Sequence, residues 1–196
     1  MKKLIVVCTM ILLFLGVVGY AGAATIGFEE FAPGTVVSGS GHFTDVVFSA
    51  GSIDIKAMAD NPGPLFSGVM SAVSWPTHES PYRADFSISG VSSVSLVMGD
   101  YNADTDNLFV QAYNSSNTLL DQEAYTLDSA ISGGPILTVT GTNIAYVIFG
   151  STGIYPNSVF FDNFTYNASA VPEPLSMVLL GFGLLGIAGM RRKLKK

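Results

Sequence analysis

The chain has 196 residues and a formal net charge of −6, and two apolar ends enclose a polar middle. Between Glu29 and Glu173, fifteen acidic residues are accompanied by only two bases, Lys56 and Arg83, so this stretch has a formal charge of −13. Such an acidic surface repels a polyphosphate backbone, which argues against nucleic acid as a partner. The single cysteine, Cys8, excludes a disulfide within the chain.

Residues 1–23 have the layout of a secretory signal peptide. Two lysines precede an apolar run from Leu4 to Val18, and small side chains follow at Ala21 and Ala23. Lysines hold the amino end on the cytoplasmic side, and small residues in an A-x-A arrangement fit the pockets of signal peptidase. The sequence therefore predicts an N-terminal signal helix that signal peptidase removes before Ala24.

Residues 171–196 form a second segment of three parts. Pro172, Glu173 and Pro174 give a stiff tripeptide that resists helix formation. The uncharged run Leu175 to Met190 would make a helix of about 24 Å, against a hydrocarbon core of about 30 Å, so it spans a membrane marginally. Arg191, Arg192 and Lys193 then give a cytoplasmic stop-transfer signal. A transmembrane helix at about 175–190 is predicted.

This tail resembles the PEP-CTERM sorting signal, in which Val-Pro-Glu-Pro precedes a short Gly-rich apolar helix and a basic cluster. The resemblance implies that Pro172, Glu173 and Pro174 are recognised by an exosortase-like membrane protease, which processes the protein near that motif. It also implies a Gram-negative host that makes extracellular polysaccharide. An ordinary C-terminal anchor, with prolines that only cap the helix, is the alternative interpretation.

The middle, residues 24–170, has the pattern of an all-β domain. Short runs rich in Val, Ile, Phe, Tyr and Thr alternate with clusters of Gly, Pro, Asn, Asp and Ser, and no stretch has a convincing helical period. This spacing favours two antiparallel sheets packed as a jelly-roll-like β-sandwich. The predicted strands are 26–31, 46–49, 53–57, 84–89, 94–98, 108–113, 119–126, 137–140, 145–149 and 159–166.

Residues 108–113 show how one strand divides its side chains between two faces. Alternation points Phe109, Gln111 and Tyr113 to one face of the sheet, and Leu108, Val110 and Ala112 to the other. One face is therefore apolar and the other mixed. The following Asn-Ser-Ser-Asn is typical of a hairpin turn, because Asn tolerates left-handed backbone.

Two sets of carboxylates suggest a structural Ca²⁺, the only cofactor that the sequence indicates. Asp100, Asp104 and Asp106 resemble the start of an EF-hand loop, but Thr105 replaces the turn glycine and Gln111 the bidentate Glu. A solvated acidic loop is the alternative. The second set, Glu29 or Glu30 with Asp162, resembles the calcium ligands of carbohydrate-binding β-sandwiches, and its alternative is a buried or turn carboxylate satisfied by backbone amides.

No catalytic site emerges from the sequence, so we predict that the protein is not an enzyme. His42 and His78 lie in unrelated loops, no cysteine remains after the signal is removed, and no hydrolase motif occurs. Trp75 and Tyr82, in a Pro-rich loop, are the candidate residues for stacking on a sugar ring. Core packing is the alternative for Trp75.

The sequence thus predicts an exported protein that passes through the inner membrane to the cell surface or extracellular matrix. Its expected partners are signal peptidase, an exosortase-like protease, the membrane at the C-terminal helix and extracellular polysaccharide. The alternative function is a calcium-assisted, lectin-like module on a plain membrane anchor.

Overall fold

The computed structural model describes residues 22–51, 54–58, 70–73, 81–100, 105–128, 134–152 and 159–168, together with Gly181. One compact unit runs from Ala21 to Ser169 and contains every described strand. The second unit, Met1–Tyr20 with Ala170–Lys196, lies outside the described residues apart from Gly181. The predicted signal and transmembrane helices fall there. Within the described residues, no helix is long and apolar enough to cross a membrane.

Eleven strands are described in the compact unit. They are β1 (Gly22–Ile26), β2 (Val46–Ser49), β3 (Ile55–Met58), β4 (Met70–Val73), β5 (Tyr82–Phe86), β6 (Val91–Asp100), β7 (Asp106–Tyr113), β8 (Leu119–Leu127), β9 (Ile136–Thr140), β10 (Tyr146–Ser151) and β11 (Val159–Ala168).

The strands form two antiparallel sheets. Sheet A has six strands in the order β3-β4-β11-β6-β9, with β1 also paired to β11, and sheet B has five in the order β2-β5-β10-β7-β8. Neighbours within a sheet are mostly distant in sequence, so the sheets are built from long-range pairings. The prediction of an all-β antiparallel fold is confirmed.

Aromatic rings fill the space between the sheets. Phe161 of β11 is fully buried, and its ring lies 4.8 Å from that of Phe149, 4.9 Å from Tyr82 and 5.5 Å from Phe28, measured between centroids. Most of these contacts are edge-to-face, the arrangement that aromatic quadrupoles favour. Sheet A, sheet B and the N-terminal segment therefore share one core.

A seam of carboxylates closes the side of the sandwich where β8 and β9 meet. Asp121 on β8 accepts hydrogen bonds from the backbone N–H of Thr140 at 2.8 Å and from its hydroxyl at 3.2 Å. Glu123, two residues on, accepts from the backbone N–H of Thr138. These N–H groups lie on the outer edge of β9, so the two carboxylates satisfy an edge that would otherwise attract another strand.

The strand predictions hold best in the second half of the chain. β2 has the predicted bounds, and each of the other strands except β4 overlaps a predicted one. The first strand is corrected: β1 ends at Ile26, because Phe28 turns the chain with a φ of 63°. β4 was missed, since Met-Ser-Ala-Val contains a single β-branched residue.

The hairpin between β7 and β8 is confirmed. Asn117 has a φ of 60°, and the side-chain carbonyl of Asn114 accepts the backbone N–H groups of Ser116 and Thr118, both at 2.9 Å. This Asn side chain replaces a backbone partner in the turn. The turn fixes the register in which β7 and β8 place their side chains.

Candidate functional site

The outer face of sheet B carries a cluster of polar and aromatic side chains. In β7, buried residues alternate with half-buried or exposed ones, as the sequence predicted. We define the sheet B face by the side chains that point away from the core on four adjacent strands. They are Arg83 and Asp85 of β5, Tyr146 and Ile148 of β10, Asn107, Phe109, Gln111 and Tyr113 of β7, and Gln122, Ala124 and Thr126 of β8.

A groove of about 380 Å³ opens on this face, with Phe109 and Ala124 in its lining. Phe109 pairs in register with Ala124 on β8 and with Gly150 on β10. Both neighbours are small, so space is left over the sheet beside the half-buried ring of Phe109. Phe109 therefore gives the groove an apolar floor.

Amide side chains border the floor on both sides. On one side, Gln111 Nε2 donates to Gln122 Oε1 at 3.3 Å. On the other, the Thr126 hydroxyl donates to Asn107 Oδ1 at 3.0 Å. Amides and hydroxyls carry both donors and acceptors, so a ligand in this groove would meet both kinds of group around an apolar surface.

A stack of side chains supports one end of the groove. The Tyr146 ring lies nearly parallel to that of Tyr113, with an interplanar angle of 11° and centroids 5.0 Å apart, and the guanidinium carbon of Arg83 lies 3.6 Å from the Tyr146 centroid. Tyr146 is only 7% exposed although it faces outward. The Tyr113 hydroxyl donates to Gln111 Oε1 at 2.8 Å. The stack is thereby joined to the amides of the groove.

Arg83 is held in place from two directions. Its Nε and Nη2 donate to the two carboxylate oxygens of Asp85, at 2.7 and 2.6 Å. This hydrogen-bonded carboxylate is the main cause that raises the pKa of Arg83, with a further contribution from the negative charge of Asp85. The bidentate geometry fixes the guanidinium plane over Tyr146.

The predicted aromatic ligand residues do not form this site. Tyr82 is fully buried, its ring stacks on that of Phe149 at 5.3 Å, and its hydroxyl donates to the backbone carbonyl of Val159 at 2.7 Å. The prediction that Tyr82 binds a ligand is therefore corrected, and we assign it to the core. Trp75 lies outside the described residues, as does most of the loop predicted at Ser74–Tyr82.

The structure separates the predicted calcium ligands into buried and exposed ones. Asp100 and Asp106 are fully buried at the end of β6 and the start of β7, and the Ser151 hydroxyl donates to Asp106 Oδ1. Alternation along both strands points these two carboxylates between the sheets. Asp104 lies outside the described residues.

The second predicted set has one exposed and one buried carboxylate. Glu29 is exposed, whereas Asp162 is fully buried and its Oδ1 accepts the backbone N–H of Asn163 at 2.7 Å. In the described ranges, no three His, Cys, Asp or Glu side chains gather as a metal site would require. Calcium binding stays a prediction.

The molecule so described is an antiparallel β-sandwich with a polar, aromatic-floored groove on one sheet. Its C-terminal residues 170–193 match the PEP-CTERM protein-sorting motif. The chain thus carries a PEP-CTERM sorting motif, and the motif implies export and exosortase processing at the membrane. The match confirms the resemblance seen in Pro172, Glu173 and Pro174. The stop-transfer residues Arg191, Arg192 and Lys193 lie outside the described structure.

Solved structures with this fold include a DUF4465 family protein from Bacteroides caccae, at 12% identity and a TM-score of 0.51, covering 75% of this chain and 99% of that one. An arabinose-bound GH51 α-L-arabinofuranosidase has 13% identity and a TM-score of 0.49 over 76% of this chain and 26% of that enzyme, so the chain spans about a quarter of its length. A CBM22-1 xylan-binding domain from Paenibacillus barcinonensis has 12% identity and a TM-score of 0.47, covering 78% and 98%. At these identities the likeness concerns the fold alone. No match was found among curated proteins.

Proposed function

We propose that this protein is a non-catalytic component of the cell surface or extracellular matrix, delivered there by exosortase processing. The observation that carries the proposal is the sorting motif at residues 170–193. The compact unit ends at Ser169, directly before the motif begins. The folded domain and the sorting signal therefore occupy separate, consecutive parts of the chain.

In this proposal, signal peptidase removes residues 1–23 during export, and the apolar segment at about 175–190 holds the intermediate in the inner membrane. The exosortase then acts near Pro172, Glu173 and Pro174 and releases the acidic domain from the basic tail. A domain rich in carboxylates stays soluble after release, because its net negative charge keeps the molecules apart.

The proposal is tested by replacing Pro172, Glu173 and Pro174 with alanine in the native host and measuring the protein in inner membrane, cell surface and medium. The variant should accumulate in the inner membrane as an unprocessed chain. Replacing Ser176 alone with alanine is the matched control, and it should be sorted normally. Equal distribution of the wild type and the triple variant would refute sorting through this motif.

A second candidate function, carbohydrate binding, is favoured by the groove on the sheet B face. Sugars present hydroxyl groups around apolar C–H surfaces, and the groove offers amides and hydroxyls around the ring of Phe109. Phe109→Ala should weaken binding to a soluble polysaccharide about tenfold or more, which corresponds to about 1.4 kcal/mol. Ser95→Ala, on the outer face of sheet A, is the control that should bind normally.

The same measurement tests the predicted role of calcium. Titrations in the presence of Ca²⁺ and of a chelator should differ if a calcium ion supports the fold around the groove. Binding that is identical in both conditions would remove calcium from the proposal and leave the groove.

A further inference from the structure

We propose that the groove on the sheet B face takes an uncharged polysaccharide, and that Tyr113 is a positioning residue which orients the Gln111 amide toward it. The inference rests on the carbohydrate-binding candidate function and adds the ligand class and a role for one residue. Its first support is the chemistry of the lining. The groove is lined by Asn107, Leu108, Phe109, Gln111, Gln122, Glu123, Ala124 and Thr152.

The charges around the groove disfavour an acidic glycan. None of the lining residues is basic, and the one charged member, Glu123, is a carboxylate that accepts the Thr138 backbone N–H. An anionic sugar placed there would lose its hydration and gain no opposite charge, which costs free energy. The acidic surroundings add long-range repulsion.

Arg83 does not supply the missing positive charge. It is the one cation among the described side chains of the sheet B face, and Asp85 already binds it through two hydrogen bonds. Its guanidinium also covers the ring of Tyr146. To bind a sugar carboxylate, Arg83 would have to give up its hydrogen bonds to the Asp85 carboxylate, so the net gain in binding free energy would be small.

The role of Tyr113 follows from a continuous set of contacts. Tyr113 is fixed by its stacking on Tyr146, and its hydroxyl donates to Gln111 Oε1 at 2.8 Å. Because Gln111 Oε1 accepts from Tyr113, the Nε2 of the same amide points away from Tyr113. There it donates to Gln122 Oε1. Gln111 is thus held in one orientation before any ligand arrives, which lowers the entropy lost on binding.

The ligand class is tested with matched polymers. The full-length chain in detergent micelles is titrated with a panel of soluble neutral polysaccharides (a β-glucan, a xylan, a galactomannan and a dextran) and with the carboxymethylated form of each. We expect at least one neutral polymer to bind and its carboxymethylated form to bind at least tenfold more weakly. Binding of the neutral polymer should not change with salt between about 50 and 500 mM, a range of ionic strength over which screening weakens the binding of charged partners.

Three other binding results are possible, and each would overturn part of the proposal. Preferential binding of a carboxymethylated polymer, weakened by salt, would overturn the inference and leave carbohydrate binding in place. Binding of neither form of any polymer would overturn carbohydrate binding itself. Equal binding of both forms would show that the groove does not select on charge.

The positioning role is tested with Tyr113→Phe, which keeps the ring stacked on Tyr146 and removes only the hydroxyl. Loss of one hydrogen bond that orients Gln111 should weaken neutral-polymer binding about three- to tenfold. The side-chain amide resonances of Gln111 in ¹⁵N-edited NMR spectra should shift at the same time. Tyr125→Phe is the matched control, because Tyr125 is 48% exposed and lies on the face of β8 opposite to the groove. Unchanged binding and unchanged Gln111 resonances in Tyr113→Phe would overturn this role.

Discussion

The two sheets share one core but expose different outer faces. On sheet A, the paired residues Thr25, Thr165, Ser95 and Thr138 form a row of small hydroxyl side chains across four strands. On sheet B, the corresponding positions carry a stacked Arg–Tyr–Tyr set and a groove lined by amides. Both patterns satisfy the requirements of a β-sheet, and the larger side chains of sheet B are the reason that we propose it as the binding face.

The largest expected effect concerns the core that both sheets share. Phe161→Ala removes a fully buried ring of sheet A that contacts aromatic rings of sheet B and should lower the free energy of unfolding by about 3–5 kcal/mol. Urea unfolding of the two proteins measures the difference. Phe109→Ala, whose ring is half-buried on the outer face of sheet B, is the control and should cost much less. Equal losses would mean that Phe109 belongs to the core.

The second largest effect is expected at the seam of carboxylates where β8 and β9 meet. Asp121→Asn weakens the hydrogen bonds to Thr140 and should destabilise the fold by about 0.5–1 kcal/mol, since the side chain is near the surface. The backbone N–H of Thr140 is the main cause that lowers the pKa of Asp121 from its ordinary 3.8.

This lowered pKa gives the seam a defined pH dependence. The stabilisation by Asp121 is fully present above pH 3.8 and is lost as the pH falls through the lower pKa of the folded state. The free energy of unfolding of the wild type should therefore fall in acid more steeply than that of Asp121→Asn. Parallel curves for the two proteins would contradict the role of the carboxylate.

A smaller effect is expected at alkaline pH. Burial, followed by the negative charge of Asp45, raises the pKa of Tyr166 from 10.0 to about 12, and the hydroxyl donates to Asp45 Oδ2 at 3.1 Å. The neutral tyrosine is favoured in the folded state, so its contribution is present below pH 10 and is lost as the pH rises through about 12. Tyr166→Phe should remove this alkaline loss in thermal unfolding measured between these two values. An unchanged pH profile in the variant would assign the loss to another group.

The smallest effect is expected on the outer face of sheet A. The hydroxyls of Thr25 and Thr165 are 2.8 Å apart and exposed, so Thr25→Ala should change the free energy of unfolding by less than about 0.5 kcal/mol. Ile26→Ala, at the neighbouring position that packs against the core, should cost clearly more. If both variants behaved alike in urea, the assignment of inward and outward positions in β1 would be wrong.

Much of the fold could be predicted from the sequence, because alternation and turn residues act locally. One example is the alternation that places Phe109, Gln111 and Tyr113 on one face of β7. Another is the Asn-rich hairpin that follows this strand. Tyr82 was misplaced because its strand was predicted to begin at Ala84. A strand extended by two residues would have put Tyr82 and Ala84 on the same buried face.

The groove could not be predicted, because it depends on which strands are neighbours. Space is open beside Phe109 only because β8 places Ala124 and β10 places Gly150 next to it. Tyr113 and Tyr146 stack because β7 pairs with β10, more than thirty residues away in the chain. A single sequence contains no local signal for such pairings. The sorting motif needs no tertiary structure, and it was therefore visible in the sequence alone.

The most direct test of the central claim, sorting by exosortase processing, is the intact mass of the protein recovered from the surface and medium of its native host. We expect a chain that begins at or near Ala24 and ends near Val171 to Pro174, without the basic tail. A chain that still ends at Lys196 would contradict this claim and would support a plain membrane anchor.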